Sequence, residues 1–330
     1  MDLFTATALG ILAAGFFVGI VVGLTGMGGG ALMTPALLFL APHQAASAVV
    51  AADLTAAAVY KSGGAIVHSR EGSPNLQLAK WLILGSVPMA LLGPYALKAF
   101  TDPEDLDHTL KFAIGIALLL AATTYALRLY INLRRVRAGG DLGDEDPRIR
   151  PVATLLVGAL GGLLVGITSV GSGSVIMVAL LMLYPGLSAV KLVGTDLVQA
   201  VPLVLAAAIS NIAIHGLDWE LLIPLLVGSI PGTILGSKLA PKVPQSFIRR
   251  AIVVVLTMSG VALLGKAGWE PFGEDGAPYF IAATGIVMVV LVPLVWGVLR
   301  KEQGLPMFGA PYVADLEGTS KSDRTGTPSA

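Results

Sequence analysis

The chain has 330 residues, of which 55% are hydrophobic and 13% are charged, and its mean hydropathy is +0.81. Soluble domains carry about 25% charged residues, so 21 basic and 21 acidic side chains are too few for the surface of a soluble chain of this length. The zero net charge gives no field that would attract nucleic acid, and the lack of cysteine excludes disulfides and thiolate metal sites. The composition predicts an integral membrane protein.

Apolar segments fall into two series along the chain, which predicts an all-α polytopic membrane protein. The first run begins at Leu3, follows no basic segment and is longer than the core of a signal peptide, so it is interpreted as a retained membrane helix. The second run of each series is short, which leaves open whether it spans the membrane or forms one arm of a re-entrant hairpin. The runs lie at 3–24, 31–41, 44–67, 77–100 and 109–130, then at 152–167, 172–184, 188–214, 219–240, 247–266 and 278–299.

The two series are copies of one repeat. Asp196 lies 143 residues after Asp53, the same offset relates Thr168 to Thr25, and it returns where Gly228 matches Gly85. An offset held over this distance indicates a duplication. The predicted domains are a first membrane repeat (1–130), a linker on the cytoplasmic side (131–150), a second repeat (151–266), an extra transmembrane helix (267–301) and a disordered cytoplasmic tail (302–330).

Basic residues predict the orientation, because Lys and Arg collect in cytoplasmic loops. Placing the linker inside puts the N-terminus outside and the C-terminus inside, and leaves only Lys98, Lys111 and Lys266 on the outer side. Equivalent loops of the two copies then face opposite sides, which predicts inverted-topology repeats with broken or re-entrant helices, as in many secondary transporters. The inner set comprises Lys61, Arg70, Lys80, Arg128, Arg134, Arg135, Arg137, Arg148, Arg150, Lys191, Lys238, Lys242, Arg249, Arg250, Arg300 and Lys301.

A glycine-rich break interrupts each repeat, at 23–30 and at 166–174. Helices that restart at Ala31 and Ser174 would direct free N–H groups and a partial positive charge into the membrane interior, which suits a small anion. The alternative is that the glycines only allow helices to pack closely. The predicted substrate-binding residues are Thr25, Gly26, Gly28, Gly29, Gly30, Thr168, Ser169, Gly171, Ser172, Gly173 and Ser174.

Two aspartates, Asp53 and Asp196, are predicted near the centre of the bilayer, where an ionisable group is costly. Each either carries a coupling ion or accepts hydrogen bonds from the break of its own repeat. Lys61 could neutralise an anion, but its place near a helix end favours snorkelling to the interface. For Gln199 and Asn211, hydrogen bonding between helices is favoured over ligand contact. No metal-ligand spacing occurs, and no cofactor is expected.

The paired breaks, Pro35 and the run Gly194-Thr195-Asp196-Leu197 resemble the sulfite exporter TauE/SafE family, also called the toluene-sulfonate uptake permease family. The resemblance covers about residues 8 to 266. It implies transport of sulfite, thiosulfate, sulfoacetate or other sulfonates, usually coupled to an ion gradient. The second break departs from the family pattern, since it is rich in serine and Val178 replaces the proline expected from Pro35.

The expected function is therefore secondary transport of a small sulfur-containing anion across the cell (inner) membrane, by alternating access in which one half moves against the other. The expected partners are the anion, a coupling proton or sodium ion and the lipid bilayer, without nucleic acid; a homo-oligomer is left open. A passive anion channel is the alternative within the same class. An intramembrane hydrolase is disfavoured, because the sequence contexts that such chemistry requires are missing.

Overall fold

The computed structural model describes residues 6–25, 29–70, 74–137, 147–187, 189–239, 245–269, 273 and 276–302. Within these residues all regular structure is helical, which confirms the all-α prediction. The helices are α1 (Ala6–Thr25), α2 (Gly30–Leu40), α3 (Ala46–Arg70), α4 (Leu76–Phe100), α5 (Leu106–Arg137), α6 (Pro151–Thr168), α7 (Val175–Leu183), α8 (Ala189–His215), α9 (Trp219–Leu239), α10 (Gln245–Lys266) and α11 (Ala277–Glu302).

Seven of the described helices are long and apolar enough to cross a membrane, namely α1, α4, α5, α6, α8, α9 and α11. Helix α5 continues to Arg137, so the predicted linker begins with a helical stretch. The predicted tail after Glu302 and the break residues Gly26 and Gly28 lie outside the described residues.

The two short helices fold back along their predecessors. Helix α2 has 11 residues and α7 has 9, so at ~1.5 Å per residue neither reaches across ~30 Å of hydrocarbon. A Cβ at Gly10 of α1 would lie 3.8 Å from the side chain of Leu40, the last residue of α2. The Tyr184 hydroxyl after α7 accepts a hydrogen bond from Arg150 N at 2.9 Å, next to the start of α6. Helices α1 and α2, and likewise α6 and α7, are therefore the two arms of a helical hairpin.

Helices α1 and α9 come from different repeats and run parallel in close contact. A Cβ at Gly15 would lie 3.0 Å from the Leu225 carbonyl oxygen, and one at Gly19 would lie 2.6 Å from that of Ser229. From the other side, a Cβ at Gly228 would overlap the Leu12 carbonyl oxygen. Only glycine allows backbones to approach this closely, so these residues form a small-residue packing interface.

Helices α4 and α6 repeat the same contact with the roles of the two halves exchanged. A Cβ at Gly158 would lie 2.5 Å from the Leu82 carbonyl oxygen, and one at Gly166 would lie 2.5 Å from that of Ala90. Gly158 and Leu82 correspond to Gly15 and Leu225 at the 143-residue offset. The duplication therefore extends from the sequence to the pairing of helices, and each hairpin is held by a helix of the other repeat.

The equivalent helices α5 and α10 also pack against each other, and they run antiparallel. A Cβ at Gly115 would lie 2.8 Å from the Leu264 side chain, and one at Gly260 would lie 3.0 Å from that of Leu119. Antiparallel packing of equivalent helices is the arrangement expected if the two repeats are inverted. The inversion and the placement of the termini relative to the membrane stay predictions.

Candidate functional site

The two hairpin tips meet inside the protein. Gly30 begins α2, and a Cβ added there would overlap the carbonyl oxygen of Ser169 and lie 2.8 Å from its Oγ. Both residues are buried. A glycine is required at position 30 because the backbone of the second break occupies the space of a side chain. This contact brings the predicted site residues of both repeats together.

The second break is an irregular loop in which some backbone N–H groups have no hydrogen-bond acceptor among the described residues. Ser169 ends α6 in the left-handed conformation with φ 61°, and Gly171 has φ 124°. Ser169 N and Ser174 N donate to carbonyl oxygens, and Val170 N donates to the Thr168 hydroxyl. The N–H groups of Gly171, Ser172 and Gly173 donate to no acceptor within the described residues. Consecutive free N–H groups of this kind form a concavity that suits an anion.

Serine hydroxyls of the loop also point into the protein. Ser172 and Ser174 are each 3% exposed. The Oγ of Ser174 is buried without a hydrogen-bond partner among the described residues. An unpaired buried hydroxyl is uncommon in native proteins, so Ser174 is available to a ligand.

The two predicted threonines donate hydrogen bonds to their own helices. Thr25 Oγ1 donates to Val21 O at 2.7 Å, and Thr168 Oγ1 donates to Leu164 O at 2.6 Å. Both hydroxyl protons are therefore used by the last turn of the threonine's own helix. On the first tip, Gly29 N donates to the Tyr60 hydroxyl at 3.2 Å, so α3 holds the start of α2.

Asp53 lies on α3 beside both tips and is completely buried. Its Oδ2 accepts hydrogen bonds from Thr34 Oγ1 on α2 at 2.5 Å and from Ser169 Oγ at 2.8 Å. Its Oδ1 has no partner among the described residues. Among the described residues, the break that donates a hydrogen bond to Asp53 belongs to the other repeat, whereas Thr34 lies on α2 of its own repeat.

Lys61 does not snorkel to the interface. The side chain is 5% exposed, and Nζ donates a hydrogen bond to Ser172 Oγ at 2.5 Å. It also interacts electrostatically with Asp53 and Asp196. The snorkelling interpretation is wrong because the position of Lys61 in the sequence gives its depth along α3. It does not tell which face of α3 contacts the second break. Lys61 is thus a buried cation that contacts the second break.

Asp196 occupies the equivalent position on α8 but has different neighbours. Its Oδ1 accepts a hydrogen bond from Gln199 Nε2 at 3.0 Å, and it interacts electrostatically with Lys61 and Arg128. Arg128 belongs to the basic residues predicted on the inner side, and its side chain is buried, with 6% exposed. Gln199 bonds within its own helix, rather than between helices as expected.

Asn211 makes the contact between helices that the sequence favours for it. Its Nδ2 donates to Gly166 O on α6 and to Ala207 O on its own helix, both at 2.9 Å. Gly166 is part of the close α4–α6 contact, so Asn211 fixes the end of α6 where the second break begins.

Sequence reasoning missed Thr34, Tyr60 and Arg128 as site residues. The signal available was polarity inside apolar helices, since Thr34 interrupts the short helix α2 and Arg128 lies within α5 at the end of its apolar span. Their contacts with Asp53, Gly29 and Asp196 depend on packing between distant segments, which one sequence does not give.

Comparison with known proteins decides the family. The model of the family described as sulfite exporter TauE/SafE matches residues 11–263. The chain belongs to the sulfite exporter TauE/SafE family. It is therefore a membrane transporter, and with seven apolar helices of sufficient length it is a multi-pass protein of the cell membrane.

Two proteins of Bacillus subtilis (strain 168) that are similar to this chain carry transporter names. The probable membrane transporter protein YjnA is 36% identical over 262 residues, which cover 78% of this chain and 100% of YjnA. The probable membrane transporter protein YdhB is 28% identical over 256 residues, which cover 77% of this chain and 99% of YdhB. No solved structure matches the chain. The TauE/SafE match includes both hairpins and both aspartates, whereas α11 lies beyond it.

Proposed function

We propose that this protein is a secondary transporter of a small sulfur-containing anion, such as sulfite, thiosulfate or an organosulfonate, driven by an ion gradient. The observation that carries the proposal is the hydrogen bond from Lys61 to Ser172 where the tips of the two hairpins meet. This bond joins a buried cation of the first repeat to the second break, where backbone N–H groups have no acceptor among the described residues.

The chemistry of this position suits an oxyanion. An anion that leaves water needs charge compensation and hydrogen-bond donors. Lys61 supplies the charge, and Ser172 can still donate its own proton because it accepts the bond from Nζ. Ser174 Oγ and the N–H groups of Gly171, Ser172 and Gly173 add donors. The name of the family supports a sulfur oxyanion as the substrate class.

The packing supports a particular form of alternating access. Sliding one half of the chain past the other would break the glycine contacts of α1 with α9 and of α4 with α6. We therefore expect each moving body to combine segments of both repeats. One body comprises α1, α2 and α9, and the other comprises α4, α6 and α7. The tips of the two hairpins, and hence the candidate site, lie where these bodies meet.

The test is uptake of labelled sulfite, thiosulfate and a sulfonate by purified protein in liposomes. Lys61→Met should lower uptake by about 10- to 100-fold, since a buried hydrogen bond to a charged group is worth about 1.5–3 kcal/mol. Lys98→Met is the matched control, because Lys98 is exposed at the end of α4, and it should transport normally. Normal transport by Lys61→Met would contradict the site.

A counterflow measurement distinguishes a transporter from a passive channel. Liposomes loaded with unlabelled anion should transiently concentrate labelled anion from outside, because the bound form crosses faster than the empty form. Flux that dissipates the gradient without counterflow would indicate a channel. If none of the three anions moves under any ion gradient, the proposed substrate class is wrong.

A further inference from the structure

The two equivalent aspartates have unequal surroundings. At the 143-residue offset, Asp53 corresponds to Asp196, but its donors Thr34 and Ser169 correspond to Met177 and Gly26, which have no side-chain donor. Likewise Lys61 corresponds to Val204 and Gln199 to Ala56. The duplication kept both carboxyl groups, whereas the polar groups around them differ between the repeats.

Asp196 lies in a cationic environment. Lys61 on α3 and Arg128 on α5 both act on it electrostatically, and Gln199 donates a hydrogen bond to it. All three polar partners stabilise the ionised carboxylate. Two buried cations therefore favour the ionised form of Asp196, against one for Asp53.

Within the described residues, Asp53 accepts hydrogen bonds from neutral donors only. Neither aspartate forms an ion pair there, since the one ion pair found joins Lys111 to Asp107. Lys61 alone acts electrostatically on Asp53, whereas Lys61 and Arg128 both act on Asp196. Two hydroxyls bind its Oδ2, while Oδ1 is buried without a partner. A buried anion with one unsatisfied oxygen is costly, and a proton on Oδ1 removes the charge. Tyr60 and Lys61 on α3 are the ionisable groups that interact electrostatically with Asp53, and Lys61 in turn interacts with Asp196 on α8, on which Arg128 on α5 also acts.

We infer that Asp53 is the proton-binding site of the transporter, and that one proton enters with each monoanion, while Asp196 stays ionised. The inference rests on the proposed transport function. With Asp53 protonated, Lys61, Arg128 and Asp196 leave one net positive charge beside the hairpin tips, which a monoanion neutralises. With Asp53 ionised, these four groups are already neutral, and the anion binds less well. Proton and anion therefore favour each other, and the transported pair carries no net charge.

The experiment compares two modes of transport by Asp53→Asn in liposomes. Asparagine is neutral and similar in size, so counterflow of labelled anion should persist. Accumulation driven by an acidic outside should fall to an inside-to-outside ratio of about one. The wild type should accumulate a monoanion up to about 100-fold under a gradient of about two pH units, since each pH unit allows a tenfold ratio. Asp105→Asn, at an exposed loop position, is the control that should accumulate normally.

Three results separate the possible failures. If Asp53→Asn folds and accumulates anion like the wild type, or folds and loses counterflow as well, Asp53 is not the proton site. If the wild type moves no anion in either mode, the proposed function itself fails. Proton uptake, followed with a pH dye inside the liposomes, should be one per monoanion in the wild type and absent in Asp53→Asn.

A second variant covers the case in which Asp53→Asn does not fold. Ser169→Ala removes one hydrogen bond that favours the ionised carboxylate. Protonation then becomes easier, so the pH of half-maximal uptake should move upward. An unchanged or lower midpoint would overturn the inference.

Discussion

Lys61 on α3 and Ser172 in the second break form a buried hydrogen bond of 2.5 Å between the two repeats. The bond places a cation from the first repeat on the irregular backbone of the second. It also connects α3 to the body that contains α6 and α7.

Ser172→Ala should lower anion uptake by about tenfold or more, because it removes a donor to the anion and the hydroxyl that accepts the hydrogen bond from Lys61. The effects of Ser172→Ala and Lys61→Met should not add in the double variant, since the two side chains act together. Ser237→Ala is a suitable control, because Ser237 is exposed and bonds only to its own helix. Additive losses in the cycle would show that the two residues act independently.

Gly162→Ala should destabilise the protein, because its Cβ would overlap the carbonyl oxygen of Ser86 in the α4–α6 contact. Backbone atoms cannot move away as a flexible side chain can, so we expect a loss of about 1–3 kcal/mol in the free energy of unfolding. Gly265→Ala on α10 is the matched control, since a Cβ there meets nothing within 4 Å. It should be neutral or stabilising by up to about 1 kcal/mol. Thermal unfolding in detergent measures both, and equal melting temperatures would contradict the packing argument.

Most of the fold could be predicted from the sequence, because membrane helices and a duplication leave one-dimensional signals. The predicted short run 172–184 corresponds to α7, and the offset between Asp53 and Asp196 carries over to equivalent positions on α3 and α8. Of the two interpretations of the glycines, close helix packing applies at Gly166, while Gly171 adopts a positive φ in the break. The anion site stays a prediction.

The candidate site could be predicted only in part, because its contacts join segments that are far apart in the chain. The offset made Asp53 and Asp196 look alike, yet Ser169 from the second break reaches only Asp53. Depth along a helix also suggested that Lys61 would reach the interface. Which face of α3 meets the second break depends on how α3 packs against α8, and hydrophobic patterning in an all-apolar environment does not encode that face.

The inverted arrangement predicts that equivalent loops lie on opposite sides of the membrane. The chain has no cysteine, so single cysteines can replace Asp105 before α5 and Lys238 at the end of α9, both of which are exposed. A membrane-impermeant thiol reagent added to intact cells should label Asp105→Cys, whereas Lys238→Cys should require permeabilised cells. Labelling of both positions from one side would contradict the inversion and favour repeats of the same orientation.

Binding of the anion can be separated from its transport by ligand-induced stabilisation. A ligand that binds only the folded state adds about 2.7 kcal/mol at 100 times its dissociation constant, so sulfite or a sulfonate should raise the melting temperature of the wild type. Lys61→Met should show no such rise, while Lys98→Met should respond as the wild type does.

Asp53→Asn should respond equally at acidic and neutral pH, because the neutral amide resembles the protonated carboxyl group. The wild type should respond more strongly at acidic pH, and a wild-type response that does not change with pH would separate anion binding from the proton on Asp53.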